Sequence, residues 1–76
     1  MIIITPVQCR MARAGLCIGQ KELSEKSNVG WATITDFERE RADRKFNKTT
    51  LMALRSFFEK EGVIFLNNSG IDIKKQ

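Results

Sequence analysis

Histidine and tyrosine are absent from this chain of 76 residues, proline and tryptophan occur once each, and there are only two cysteines. Each gap removes a class of chemistry. Without histidine or tyrosine, and without a glycine-rich phosphate loop, no nucleophile has a base beside it. Asp36 and Glu38 lie two positions apart and cannot share one helical face, so paired-carboxylate catalysis is not expected either. The chain therefore reads as a non-enzyme, with no catalytic residues to assign. Cys9 and Cys17 fall on one predicted helix and its exit, where helical rise separates them by roughly 12 Å, too far for a disulfide. With no histidine and no further cysteine, a zinc site lacks ligands. Both cysteines read as reduced thiols, with Cys9 packing in the core, and neither metal nor cofactor is expected. Long hydrophobic runs are missing as well. The longest, Ile2 to Ile4 and Val63 to Leu66, fall far short of a membrane span. No basic region precedes the first of them and no small-residue cleavage pattern follows, so the expectation is a soluble, cytoplasmic protein with no membrane partner.

What is present fits one small folded unit spanning 1-76. The chain is 42% hydrophobic and 29% charged, enough for one modest core and too little length for a second domain or a deep catalytic cleft. Its formal charge is +4, from 13 basic and 9 acidic residues. That balance permits a nucleic-acid partner without requiring one. The distribution is more telling: from Arg39 to Lys48 stand five basic residues, Arg39, Arg41, Arg44, Lys45 and Lys48, against Glu40 and Asp43. Such a run is either a solvated loop or a phosphate-binding one.

Helix signals punctuate the chain. Thr5 can cap a helix that Pro6 opens, because proline fits the first helical position at little cost. Cys9, Ala12 and Leu16 recur at i, i+3 and i+7 as its apolar face, and Gly15 marks its expected end. A second short helix is predicted over about 20-27, between Gly19 and Asn28, with Leu23 and Ser24 inward. Asn28 tolerates the left-handed backbone of a sharp turn, and Val29 can bury within it. The third helix starts at Gly30 or Trp31. Ile34 and Phe37 form its inward stripe with Glu38 beside them, while Trp31, Ala32, Thr35, Asp36 and Arg39 fall on the other side. A fourth helix carries Leu51, Leu54, Phe57 and Phe58, with Thr49 or Thr50 as its expected cap and Gly62 as its stop. Around Asn67, Asn68, Ser69 and Gly70, the apolar stretches Val63 to Leu66 and Ile71 to Ile73 read as a β-hairpin over about 63-74. A lone hairpin is marginal in water, so it must pack on the helices, pair with Ile2 to Ile4, or meet another subunit.

Two short helices joined by a tight turn, the second with a polar outward face, have the geometry of a helix-turn-helix. The run RMARAGLCIGQKELSEKSNVGWATITDFERE resembles the phage repressor and Cro-like helix-turn-helix family of bacterial and phage regulators, the xenobiotic-response-element type. The positions that carry the resemblance are Arg13, Gln20, Leu23, Ser24, Asn28, Val29, Thr33, Ile34, Phe37 and Glu38, and it covers about residues 7-60. Gly19, Ser24, Asn28, Gly30 and Glu40 depart from the family's usual residues. The resemblance implies an all-α, lambda-repressor-like domain of four to five helices with the helix-turn-helix at about 20-39, to which the predicted hairpin adds a short C-terminal β element. It also implies that Arg13 and Glu38 meet as a partly buried ion pair; the alternative is a local pair of Glu38 with Arg41.

A regulator of this kind, most simply a repressor, would insert the helix at about 31-39 into the major groove of double-stranded DNA. Base reading would fall to Trp31, Ala32, Thr35 and Asp36: threonine and alanine can touch a thymine methyl, and aspartate can accept from cytosine N4. Phosphate contacts would come from Gln20 at the start of the second helix, from Thr33 near the backbone, from Arg39 at the rim, and from Arg44, Lys45 and Lys48. A homodimer on a pseudo-palindromic operator is expected, with the hairpin or the fourth helix as interface. The rival reading is an antitoxin or protein-interaction module on the same fold, in which Trp31 and the C-terminal strands anchor a protein partner.

Overall fold

The first helix begins where the Thr5-Pro6 pair places it. In the computed structural model, which describes residues 3–40, 45–68 and 70–74, α1 spans Pro6–Leu16. The Thr5 hydroxyl accepts from the Gln8 backbone N–H at 3.0 Å, and the Gln8 side-chain oxygen accepts from the Thr5 N–H at 2.9 Å. Two otherwise orphaned donors are thus satisfied reciprocally. The helix runs one residue past the expected stop, and it is Cys17, at φ 60°, that takes the left-handed exit. Gly15 has a different task. A Cβ there would collide with Cδ1 of Ile73, so the glycine lets the C-terminal strand lie directly against α1.

Helix α2 spans Gln20–Ser27 and α3 spans Trp31–Glu38. Between them Asn28 adopts φ 60°, and Val29 is buried. The Ser24 hydroxyl donates to the Val29 carbonyl at 2.7 Å, which gives a polar group inside the turn its partner. Beyond α3, Glu40 sits at φ 56°, a left-handed position that glycine would occupy without steric cost.

Helix α4 spans Lys48–Lys60. Its cap is Asn47, not Thr49 or Thr50: the Asn47 side chain accepts from the Thr50 N–H at 2.9 Å. Asparagine caps at least as well as threonine, and its use moves the helix start forward so that Lys48 opens the first turn. Gly62, at φ 96°, then reverses the chain into β1, Val63–Phe65, which pairs antiparallel with β2, Ile71–Ile73. The register is Val63 opposite Ile73 and Phe65 opposite Ile71.

The hairpin packs on the helices, β2 against α1 and β1 against α4. Gln8 fastens it from α1, donating to the carbonyls of Leu66 at 3.3 Å and Gly70 at 3.1 Å. Arg55 on α4 lies over the Phe65 ring at 4.9 Å and donates to the Ile3 carbonyl at 2.7 Å. All these elements close on one core, in which Phe58, Leu23, Ile34, Leu54, Cys9 and Ala12 are fully buried and Ile4, Val29, Phe37 and Val63 nearly so. Among the described residues no helix is long and apolar enough to cross a membrane.

Candidate nucleic-acid interface

Helix α3 divides cleanly by face. Ile34, Phe37 and Glu38 are buried, Trp31 and Ala32 are exposed, and Thr33, Thr35 and Asp36 lie between. Trp31 leaves 52% of its surface open at the first position of the helix. For an aromatic of that size in a chain this small, so much exposure marks it as a surface residue.

The buried side of α3 carries a charge. Glu38 is only 4% exposed, and its carboxylate accepts from Arg13 Nη2 at 2.7 Å, Arg13 Nε at 2.9 Å, Gln20 Nε2 at 3.0 Å and Cys9 Sγ at 3.1 Å. Burial alone would raise the carboxyl's pKa. The hydrogen bonds from Arg13, Gln20 and Cys9 outweigh it and hold the group below the ordinary carboxylate range. The same bonds act on the partners. Hydrogen bonding to Glu38 raises the Arg13 pKa further, while burial and the neighbouring carboxylate push the Cys9 thiol well above its usual value and keep it protonated. One carboxylate therefore joins α1, α2 and α3 at a single point.

Arg10 closes the same junction from outside. It donates to the Glu38 backbone carbonyl and pairs with Glu40 at 3.4 Å. A cation at a helix C-terminus complements the partial negative charge there. Sequence reasoning did not single out Arg10, nor the thiol of Cys9 as a donor. Their signal is faint: Cys9 and Arg13, four apart, share a face of α1 and look like one core residue and one surface residue.

Compared with known proteins, the chain matches no family model and no curated sequence. Its own geometry must therefore carry any functional reading.

Gln20 opens α2, and its side chain is spent internally. Nε2 donates to Glu38, and Oε1 accepts from the Thr35 hydroxyl at 3.1 Å. What it leaves for an anion is backbone. The cap of α2 is Gly19, which has no side chain to bond the N–H groups of the first turn. Helix α3 likewise starts at an uncapped glycine, Gly30. Neither glycine is demanded by the fold: a Cβ at Gly19 would meet nothing within 4 Å, and one at Gly30 only the Thr33 hydroxyl at 3.5 Å. At both helix starts the N-cap residue thus offers no side chain to the first turn.

The remaining candidates are surface cations. Arg39, at the C-cap of α3, is exposed, as are Lys45 and Lys48. Lys48 occupies the first turn of α4, where no acidic side chain offsets the positive end of the helix. Arg44 lies outside the described residues, and so does Arg41, the other partner considered for Glu38. Thr33 and Asp36 each have an interaction partner. A separate groove of about 760 Å³ runs along α4, with Ile3, Ile4, Phe46, Leu51 and Met52 as its apolar lining and Lys48, Arg55 and Glu59 among its polar residues.

Proposed function

We propose that this protein is a sequence-specific regulator of the helix-turn-helix type, of the lambda-repressor-like form, that binds double-stranded DNA with α3 in the major groove. The observation that carries the reading is the division of α3. Its inner face is anchored by a buried carboxylate with four donors, while on its outer face Trp31 and Ala32 are exposed and Thr35 and Asp36 are half-exposed beside them. Rigid support behind a polar surface is what reading base edges requires. The uncapped start of α2 and the cations Arg39, Lys45, Lys48 and Arg44 supply the sequence-independent phosphate contacts. The protein acts as a homodimer and, in the simplest case, as a repressor that occludes its site. Its dimer contact is drawn from the exposed apolar residues Ile64 and Leu66 of the hairpin and Met52 of α4.

Selection of bound duplexes from a random DNA pool at two salt concentrations tests this directly. The expected result is a pseudo-palindrome with half-sites about 34 Å apart, bound more weakly as salt rises. Recovery of no enriched sequence, with only weak salt-sensitive binding, would overturn it.

A second reading, an antitoxin or protein-interaction module on the same fold, draws on the open indole of Trp31 and the apolar groove beside α4. Separate Trp31→Ala and Arg44→Ala variants distinguish the two. Loss of DNA binding in both supports the regulator; loss of a protein contact alone in Trp31→Ala supports the module.

A further inference from the structure

The polar chain behind α3 does not stop at Glu38. An ionised carboxylate can only accept hydrogen bonds, so Gln20 must turn its NH₂ group toward Glu38, as the 3.0 Å contact from Nε2 requires. That orientation leaves Gln20 Oε1 pointing at Thr35 Oγ1, 3.1 Å away. An amide oxygen has no proton to give, so the Thr35 hydroxyl must be the donor. A helical threonine commonly donates to the carbonyl four residues earlier; here the proton goes across to α2 instead. Thr35 keeps for a ligand only the lone pairs of Oγ1 and its methyl group.

We propose that Thr35 is a specificity-determining residue, fixed as a hydrogen-bond acceptor by Glu38 acting through Gln20, and that it selects against guanine at the base it faces. The inference rests on the DNA-binding reading above. In the major groove guanine presents two acceptors, N7 and O6, which have no hydrogen to share with the lone pairs of Oγ1. Adenine N6 and cytosine N4 donate to such an atom, and the thymine methyl packs on the threonine methyl. A threonine with a free hydroxyl would show no such bias, because rotation lets it donate or accept. Gln20 and Glu38 are positioning residues in this scheme: neither needs to touch a base.

The test starts from a site enriched from a random pool with the full chain and measures relative affinity for all four bases at every position. The wild-type protein is expected to show one position per half-site where guanine weakens binding roughly tenfold or more. Thr35→Ser keeps the hydroxyl and the penalty. Gln20→Met releases the proton, so the guanine penalty at that position falls to within about threefold while preferences elsewhere are retained. Thr35→Val, which removes the lone pairs without touching Glu38, also abolishes the penalty and serves if Gln20→Met does not fold. A profile that Gln20→Met and Thr35→Val leave unchanged, with only a uniform loss of affinity, overturns the inference and leaves DNA binding intact. Enrichment of no site overturns both.

Discussion

Two seams hold short elements onto the rest of this small protein, and they use opposite chemistry. Where α4 meets the hairpin, Phe58, Val63 and Phe65 pack by shape, with the Phe58 and Phe65 ring centroids 6.4 Å apart at an interplanar angle of 61°. Where α1 meets α3, a buried carboxylate gathers the side chains of Arg13, Gln20 and Cys9. The apolar seam supplies burial, which is non-directional. The polar seam contributes less net energy for its size, since desolvating a charge offsets much of what its partners return, but each bond in it has a direction. A helix held by such bonds is fixed in rotation as well as position. That difference matters because the polar seam leads outward, through Gln20, to Thr35 on the proposed reading face, whereas the apolar seam ends inside the molecule.

Breaking the apolar seam should have the largest effect. Phe58 is fully buried, and Phe58→Ala is expected to cost about 3–5 kcal/mol in chemical denaturation, by lost burial and the cavity left behind. For a domain of this size that is a large part of the total stability. Arg13→Ala comes next, at about 3 kcal/mol at neutral pH, chiefly because it strands Glu38 as a buried charge. Unlike the Phe58 variant, it should regain part of the loss in acid, where Glu38 protonates.

The pH dependence of the unmodified protein separates the seams further. Glu38 is held below its ordinary pKa of 4.5 in the folded state, so its contribution is fully present above that value. It is lost as pH falls from there through the lowered folded value. Thermal melts of wild type and Glu38→Gln across this range should show a shallower acid slope in the variant; equal slopes would mean that Glu38 is not held ionised. The smallest effect belongs to the outer face. Trp31→Ala should change stability by no more than about 0.5 kcal/mol, since half the side chain is already in water and the core does not use it.

The two seams also differ in how far they could be read from the sequence. Periodicity alone gave Leu54, Phe58, Ile34 and Phe37 as inward, because burial at helical spacing repeats and repetition can be seen in one chain. The turn at Asn28 and the hairpin around Gly70 were legible through residues suited to those backbones. The Arg13–Glu38 contact was not: it joins positions 25 apart, no local pattern encodes it, and only a family resemblance implied it. The inward commitment of Gln20 and the thiol bond from Cys9 were invisible for the same reason. At the start of α4 the sequence points to Thr49 or Thr50 while Asn47 is the cap, because all three residue types cap well and the local pattern does not rank them. Gly15, which looked like a helix stop, is a point of close approach to Ile73, a residue 58 positions later whose placement no local rule gives.

Trp31 is both the chain's only tryptophan and the first residue of α3, in a protein with no tyrosine, so its fluorescence reports on the proposed reading face alone. Titration of the full chain with an enriched duplex, following tryptophan emission and the anisotropy of labelled DNA together, is the most direct test of DNA reading by α3. The account predicts that emission shifts or quenches in step with anisotropy, and that both midpoints move to higher protein concentration as salt is raised. Binding seen by anisotropy with unchanged Trp31 emission, or no saturable binding at all, would contradict it.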